Sequence, residues 1–240
     1  MKKILIAFWL FGSVSLFAQT SNNENQPDYK IITGRFENGT HEQQEAYTQL
    51  FGADSTQYKF DLYFHWYNIV HEYGHCILDF YNKGIGGVDE EILVNKFAVS
   101  YWKYVGFEDE LAKLKTMLET VLSGFPNPIP ENRTFIDWYS EIWGTQKLMS
   151  VPIYGYFQFK SVIIAIEESK DLSSWFDEIE INGFVASNSC KLEKYPIVAE
   201  SSTKYLNDLQ NLLKVAGLKC PTVDIELTND PMTHCSQKVH

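Results

Sequence analysis

This chain of 240 residues predicts a mainly α fold with a small β component (α+β), and three observations carry that expectation. From Gln57 to Tyr81 there is no Pro and no Gly except Gly74, and apolar residues such as Phe60, Phe64, Trp66, Ile69, Val70, Ile77 and Phe80 cover most of a helical circumference. Further segments downstream carry apolar residues at helical spacing. Strand-like stretches are confined to Tyr29–Phe36 and Gly183–Ser187.

Taken in order, residues 1–18 read as a signal peptide. Met1-Lys2-Lys3 is a positive start, Ile4 to Phe11 an apolar run, and Ala18 a small residue at the expected cut before Gln19. The apolar run is too short to span a bilayer, and no Cys lies near the cut to take a lipid, so no stable membrane insertion is expected. The expected location is secreted or periplasmic, behind a bacterial-type leader. Residues 19–28 are polar and read as unstructured. Residues 19–185 read as the main domain, and residues 186–240 as a helical, Cys-containing extension packed on it.

Within the main domain the long helix runs to about Asn82 and is broken by Lys83-Gly84-Ile85-Gly86-Gly87. A second helix starts near Asp89, a good N-cap residue, and continues to about Tyr104. Glu108 to Leu122 comes next, with Leu111, Leu114, Met117, Leu118 and Val121 on one face and Gly124 and Pro126 beyond its end. Thr134–Trp143, Tyr156–Lys170 and Ser202–Ala216 complete the helical set. The segment Phe125 to Pro130 reads as a rigid connector.

The formal charge of −11 is spread along the chain, a balance that repels nucleic acid and anionic membranes. The cysteines are Cys76, Cys190, Cys220 and Cys235, and an exported chain permits disulfides whose pairing the sequence leaves open. Cys76 follows His75 directly, and adjacent helical residues point about 100° apart, so it reads as a small core residue and not as a further ligand.

The chemistry is concentrated in His71-Glu72-Tyr73-Gly74-His75, an HExxH pattern on the long helix. Residues four apart share a helical face, so both imidazoles can meet one ion while Glu72 reaches a water beside it. Asn68, His71, Glu72, His75 and Asp79 form a polar stripe on an otherwise apolar helix. Such groups need partners, because burying each one unpaired costs about 1–3 kcal/mol. A catalytic zinc needs a third protein ligand and an open fourth position. The helix after the glycine cluster returns antiparallel and can supply that ligand, with Glu90 and Glu91 as the candidates.

The HExxH motif, the glycine turn and Glu91-Ile92-Leu93-Val94-Asn95-Lys96-Phe97-Ala98 together resemble the ExxAN-x-FA segment of ImmA/IrrE-like proteins and, more broadly, the gluzincin metallopeptidases. The resemblance covers about residues 71–104. It implies a zincin-like active-site helix pair holding Zn2+ through His71, His75 and Glu91. Asn95 would be the residue that orients a histidine, and Phe97-Ala98 a packing pair. Val94 stands where that segment has Ala. The i,i+4 relation of Glu91 to Asn95 favours Glu91 over Glu90 as ligand, and Asn95 ranks ahead of Asp79 as the outer partner of a histidine.

The expected activity is that of a zinc-dependent peptidase acting on a peptide or protein substrate, with Glu72 as general base. ImmA/IrrE-like proteins are typically intracellular, whereas the leader here points to an exported relative. Tyr154 is the first choice for a second donor to the developing oxyanion, with Tyr156 and His234 as other candidates. The alternative is a non-catalytic, zinc-stabilised binding protein, and Glu72 argues against it because a structural site has no use for such a carboxylate.

Overall fold

A computed structural model describes residues 15–18, 28–186, 192 and 194–228, and over these the chain is mostly helical with a small sheet. The elements run β1 (Ser15–Ala18), β2 (Tyr29–Gly34), α1 (His41–Phe51), α2 (Thr56–Phe60), a π-helical segment (Asp61–Tyr67) and α3 (Asn68–Phe80). They continue with α4 (Gly87–Tyr104), α5 (Glu108–Ser123), α6 (Phe135–Ile142), α7 (Val151–Glu168), α8 (Leu172–Glu178), α9 (Ser202–Val215) and β3 (Val223–Thr228). Residues 1–14 of the expected leader, Ser187, Cys190, His234 and Cys235 lie outside the described residues. Among the described residues no helix is long and apolar enough to cross a membrane.

α3 is the centre of the core. Ile69, Val70, Tyr73, Cys76, Ile77 and Leu78 are all buried, so the helix is covered on several sides, as its unbroken apolar run predicts. It stops at Tyr81 and Asn82. Asn82 takes a left-handed conformation, and the Asn82 and Lys83 backbone N–H groups donate to the Asp79 and Leu78 carbonyls at 3.0 and 2.7 Å. This paired closure satisfies the last carbonyls of the helix and turns the chain toward α4. α4 then packs along α3 with Val94, Phe97, Ala98 and Tyr101 fully buried.

Gly74 sets how closely the two helices approach. A Cβ built there would lie 3.1 Å from Phe97 Cδ1 and 3.1 Å from Val94 Cβ, closer than side chains ordinarily sit. The single glycine of the long run is therefore where α4 rests directly on the α3 backbone.

The sequence predicts one regular helix from Gln57 to Tyr81, but the structure interrupts it. In the Asp61–Tyr67 segment the backbone widens, and the N–H of Asn68 donates to the carbonyl of Tyr63, five residues back. All seven residues of this segment are buried. His65 donates from Nδ1 to Asp61 Oδ1 at 2.6 Å, and its Nε2 lies 3.0 Å from the carbonyl oxygen of Gly34 at the end of β2. Gln57 donates to the other Asp61 oxygen at 3.0 Å. The wide turn is thus anchored on the sheet.

The sheet has the order β1-β2-β3, with β1 antiparallel and β3 parallel to β2. β2 occupies most of the expected Tyr29–Phe36 strand. β3 lies outside the strands expected from the sequence, although Val223-Asp224-Ile225-Glu226-Leu227 alternates in the manner of a half-buried strand. Its pairing is fastened at the start: the Thr222 N–H donates to Asp28 Oδ2 at 2.8 Å, and the Gln210 side chain of α9 accepts from Val223 N at 2.9 Å and donates to Val223 O at 3.0 Å. The expected strand at Gly183–Ser187 does not form over residues 183–186. There Val185 N donates to the carbonyl of Ala216 as part of a loop contact.

Two short helices are also absent from the expectation. α1 is polar on most of its surface and buries only Tyr47 and Phe51, but Thr40 and Gln43 close a reciprocal capping box at its start. α8 is capped by Asp171, which accepts from Ser174 N at 2.9 Å, and it places Trp175 so that the indole N–H donates to the Leu93 carbonyl of α4 at 2.8 Å. Leu206, Leu209 and Leu213 of α9 join the same main core. Cys76 is fully buried and Cys220 half-buried, and both are free thiols.

Because α3 and α4 touch at Gly74, Gly74→Val is expected to lower stability by about 1–3 kcal/mol through overpacking against Val94 and Phe97. The shift in the denaturant midpoint at unchanged slope measures it.

Candidate metal centre

Two turns of α3 and the first turns of α4 build the site. His71 and His75, one helical turn apart, project toward α4, and their rings stand 5.0 Å apart at 80°. Glu91 enters between them. Its Oε2 lies 3.5 Å from His71 Nε2 and its Oε1 3.5 Å from His75 Nε2. Ligand atoms of His71, His75 and Glu91 all lie within 4.8 Å of one another. These three residues form a buried cluster that could hold a metal ion.

The donor set fits that role on three counts. Each histidine uses Nδ1 to donate outward, His71 to Asn95 Oδ1 at 3.2 Å and His75 to Glu90 Oε1 at 2.8 Å, which leaves both Nε2 atoms turned toward Glu91. The 3.5 Å separations match the spacing of two ligands each about 2.1 Å from one tetrahedral ion, about 3.4 Å. The cluster is also built to hold positive charge. Burial lowers the pKa of His75, but hydrogen bonds to Glu90 and Glu91 outweigh it and push the group up to about 10. Burial raises that of Glu91, yet its contacts with His71 and His75 hold it well below the usual carboxylate range. A cation would take the place of the proton between these carboxylates.

The outer partners are only partly those expected. Asn95 orients His71 as the resemblance implies. It also accepts from the Tyr67 hydroxyl at 2.9 Å and donates from Nδ2 to the Glu91 carbonyl at 2.8 Å. Glu90, the rival ligand, instead holds His75, and its second oxygen accepts from the Gly86 N–H at 2.6 Å. The helix turn explains this division: adjacent residues of α4 cannot present both carboxylates to one point, so Glu91 faces the Nε2 atoms and Glu90 reaches the back of His75. Asp79 is not an outer partner. It lies one turn beyond His75 and accepts from the Tyr29 hydroxyl at 2.9 Å, tying α3 to β2. Sequence reasoning assigns no role to Tyr67; its spacing of four from His71 is the available signal.

Glu72 lies beside the ligands and is buried, with Asn68 Nδ2 3.5 Å from its Oε1. Burial raises its pKa more than the nearby His71 and His75 lower it, so the net shift is upward. His71, Glu72, His75 and Glu91 are 4, 6, 3 and 7 % exposed. Tyr154 stands in the first turn of α7, half-buried in a smaller apolar cluster with Trp138, Tyr139 and Phe157, which Val88 and Ile92 join from α4. Tyr156 shares that cluster. The structure therefore places both tyrosines on the flank of the helix that carries Glu91. Cys76 belongs to the main core and takes no part in the ligand cluster.

The protein is expected to retain about one divalent cation per chain after dialysis and Glu91→Ala to lose it, as read by elemental analysis. Glu90→Gln keeps the three ligands but weakens the support of His75. Its metal affinity is expected to fall about 10–100-fold in a chelator competition. No protein-family model matches this chain, and no match is found among curated proteins or solved structures.

Proposed function

We propose that the chain is an exported zinc-dependent metallopeptidase of gluzincin type, hydrolysing peptide bonds with Glu72 as general base. The observation that carries this reading is Glu72 itself. It is a carboxylate buried directly beside two candidate ligands, and its pKa is raised by that burial. A site that only stabilises a fold gains nothing from such a group, and it normally closes all four positions around the ion with ligands. Here, among the described residues, the cluster offers three.

In this reading His71, His75 and Glu91 hold the ion, and Asn95 and Glu90 fix the imidazoles. A bound zinc ion supplies Lewis acidity and makes a neighbouring water acidic near neutral pH. Glu72 takes a proton from the attacking water and delivers it to the leaving amine nitrogen. A raised pKa suits both tasks, because the group must be ionised to accept and acidic enough to donate near the same pH. The substrate is a peptide or protein, and its side-chain preference is not encoded in these residues.

A second reading, a zinc-stabilised binding protein without catalysis, draws on the low exposure of all four residues. One variant separates the two. Glu72→Gln is expected to keep its metal, to be at least as stable as the native chain because it removes a carboxylate that burial disfavours, and to lose about 10²–10⁴-fold in peptide hydrolysis. Cleavage of a quenched fluorescent peptide library, run beside zinc analysis and thermal melting, makes the measurement. Undiminished hydrolysis by this variant would remove Glu72 as base.

A further inference from the structure

The polar side chains around the metal cluster are nearly all committed. Tyr67 donates to Asn95, Asn95 accepts from His71, Glu90 accepts from His75, and the Tyr139 oxygen accepts from Gln158 Nε2 at 3.2 Å. Tyr63 differs. Its side chain is only 4 % exposed, yet among the described residues its hydroxyl shows no hydrogen-bond partner, and the charges acting on it are those of Glu91 and Glu72. The hydroxyls of Tyr101 and Tyr205 are fully enclosed in the main core without a partner; that of Tyr63 is not among these, so it is an uncommitted donor that is not shut off from solvent.

The π-helical segment puts this phenol on the site's side of the helix. Because Asn68 N donates to Tyr63 O, Tyr63 sits between Tyr67 and Asn68 on the face that continues one turn later to His71 and Glu72. The Tyr63 and Tyr67 rings lie 6.2 Å apart at 23°, and Phe159 of α7 closes on Tyr63 edge-on at 5.2 Å. The ring is held by packing while its polar end is left unsatisfied. Burial, with Glu91 and Glu72 adding to it, pushes the phenol pKa well above its ordinary value, which favours the protonated, donating form.

We propose that Tyr63 is the second hydrogen-bond donor of the catalytic site, its O–H directed at the carbonyl oxygen of the scissile amide and at the oxyanion formed there. The assignment rests on the peptidase reading. In the addition step the water oxygen bonds to the carbonyl carbon, Glu72 takes one water proton, and the C=O π pair moves onto oxygen. Tyr63 donates a hydrogen bond to that oxygen without giving up its proton. In the collapse the C=O bond re-forms, the C–N bond breaks, and the proton on Glu72 passes to nitrogen, leaving a carboxylic acid and an amine. Tyr63 thus takes the role that the sequence alone points toward Tyr154.

The test uses the full chain loaded with zinc and compares wild type, Tyr63→Phe and Tyr154→Phe. Tyr63→Phe keeps the ring contacts, so its zinc content and melting temperature should equal or exceed those of wild type. On a cleaved library peptide its kcat should fall about 10²–10³-fold with KM little changed, the signature of a donor used in the transition state. Acetohydroxamate, a small zinc-binding anion whose oxygens can accept the phenol hydrogen, should bind it about tenfold more weakly by calorimetry, a loss typical of one such hydrogen bond. If Tyr63→Phe matches wild type in hydroxamate binding, or in kcat, Tyr63 is not the donor. A loss confined to Tyr154→Phe would hand the role to Tyr154. If wild type holds no zinc or binds no hydroxamate, the peptidase reading fails and the assignment with it; if wild type does both and only the Tyr63 comparison is flat, the assignment alone fails.

Discussion

Burying two imidazoles and three carboxylates at one helix–helix contact is tolerable only if the charged groups find partners, and the arrangement around α3 and α4 follows from that requirement. His71 and His75 are matched by Glu91 between them and by Asn95 and Glu90 behind them. The approach of α4 that makes these distances possible depends on Gly74, where no Cβ keeps the helices apart. Tight packing and a buried charge cluster usually oppose one another. Here the same contact supplies both, because the close backbone approach brings the carboxylates within reach of the rings.

The remaining structure holds this pair in place. The π-helical turn ahead of α3 is fully buried and tied through Asp61 and His65 to the end of β2, and Asp79 ties the far end of α3 to Tyr29 at the start of β2. The metal-cluster helix is therefore gripped by one strand at two points, one before the candidate ligands and one after them. β3 in turn closes on β2 from across the chain, fastened by Asp28, Thr222 and Gln210. Wide helical turns are infrequent and cluster near functional sites. In this protein the wide turn lies directly ahead of the helix that carries His71 and Glu72.

The environment of Glu72 links the fold to chemistry. Its carboxylate is kept from water, so its pKa rises, while the adjacent histidines limit that rise. Keeping a carboxylate buried in this way costs folding stability, and groups perturbed in this way are concentrated at functional sites. The same low exposure keeps water from competing with the hydrogen bonds that orient His71 and His75.

Local spacing by itself determined the helical character of the chain, the shared face of His71 and His75, the break at the Lys83–Gly87 cluster, and the placement of Glu91 and Asn95 one turn apart on the next helix. Those features depend on intervals of three and four residues, which α-helical geometry converts directly into neighbours. The resemblance at Glu91 and Asn95 agrees with that geometry. Only the tertiary structure decided the rest. The sequence favours Glu91 as the carboxylate facing the imidazoles, but that Glu90 turns to the back of His75 depends on how α4 rolls against α3 at Gly74. The wide turn at Asp61–Tyr67 is invisible in an apolar run that fits a regular helix equally well, because it is stabilised by Gly34 and the buried surface around it. β3 alternates legibly, but its partner lies 194 residues away at the Asp28–Thr222 contact, and no local pattern names a partner at that distance. α1 and α8 are short, and their stability comes from caps and from Trp175 reaching α4, not from a periodic apolar face. Residues close in sequence reveal their contacts through helix geometry, whereas contacts between distant segments are chosen by which buried polar atoms still require a partner.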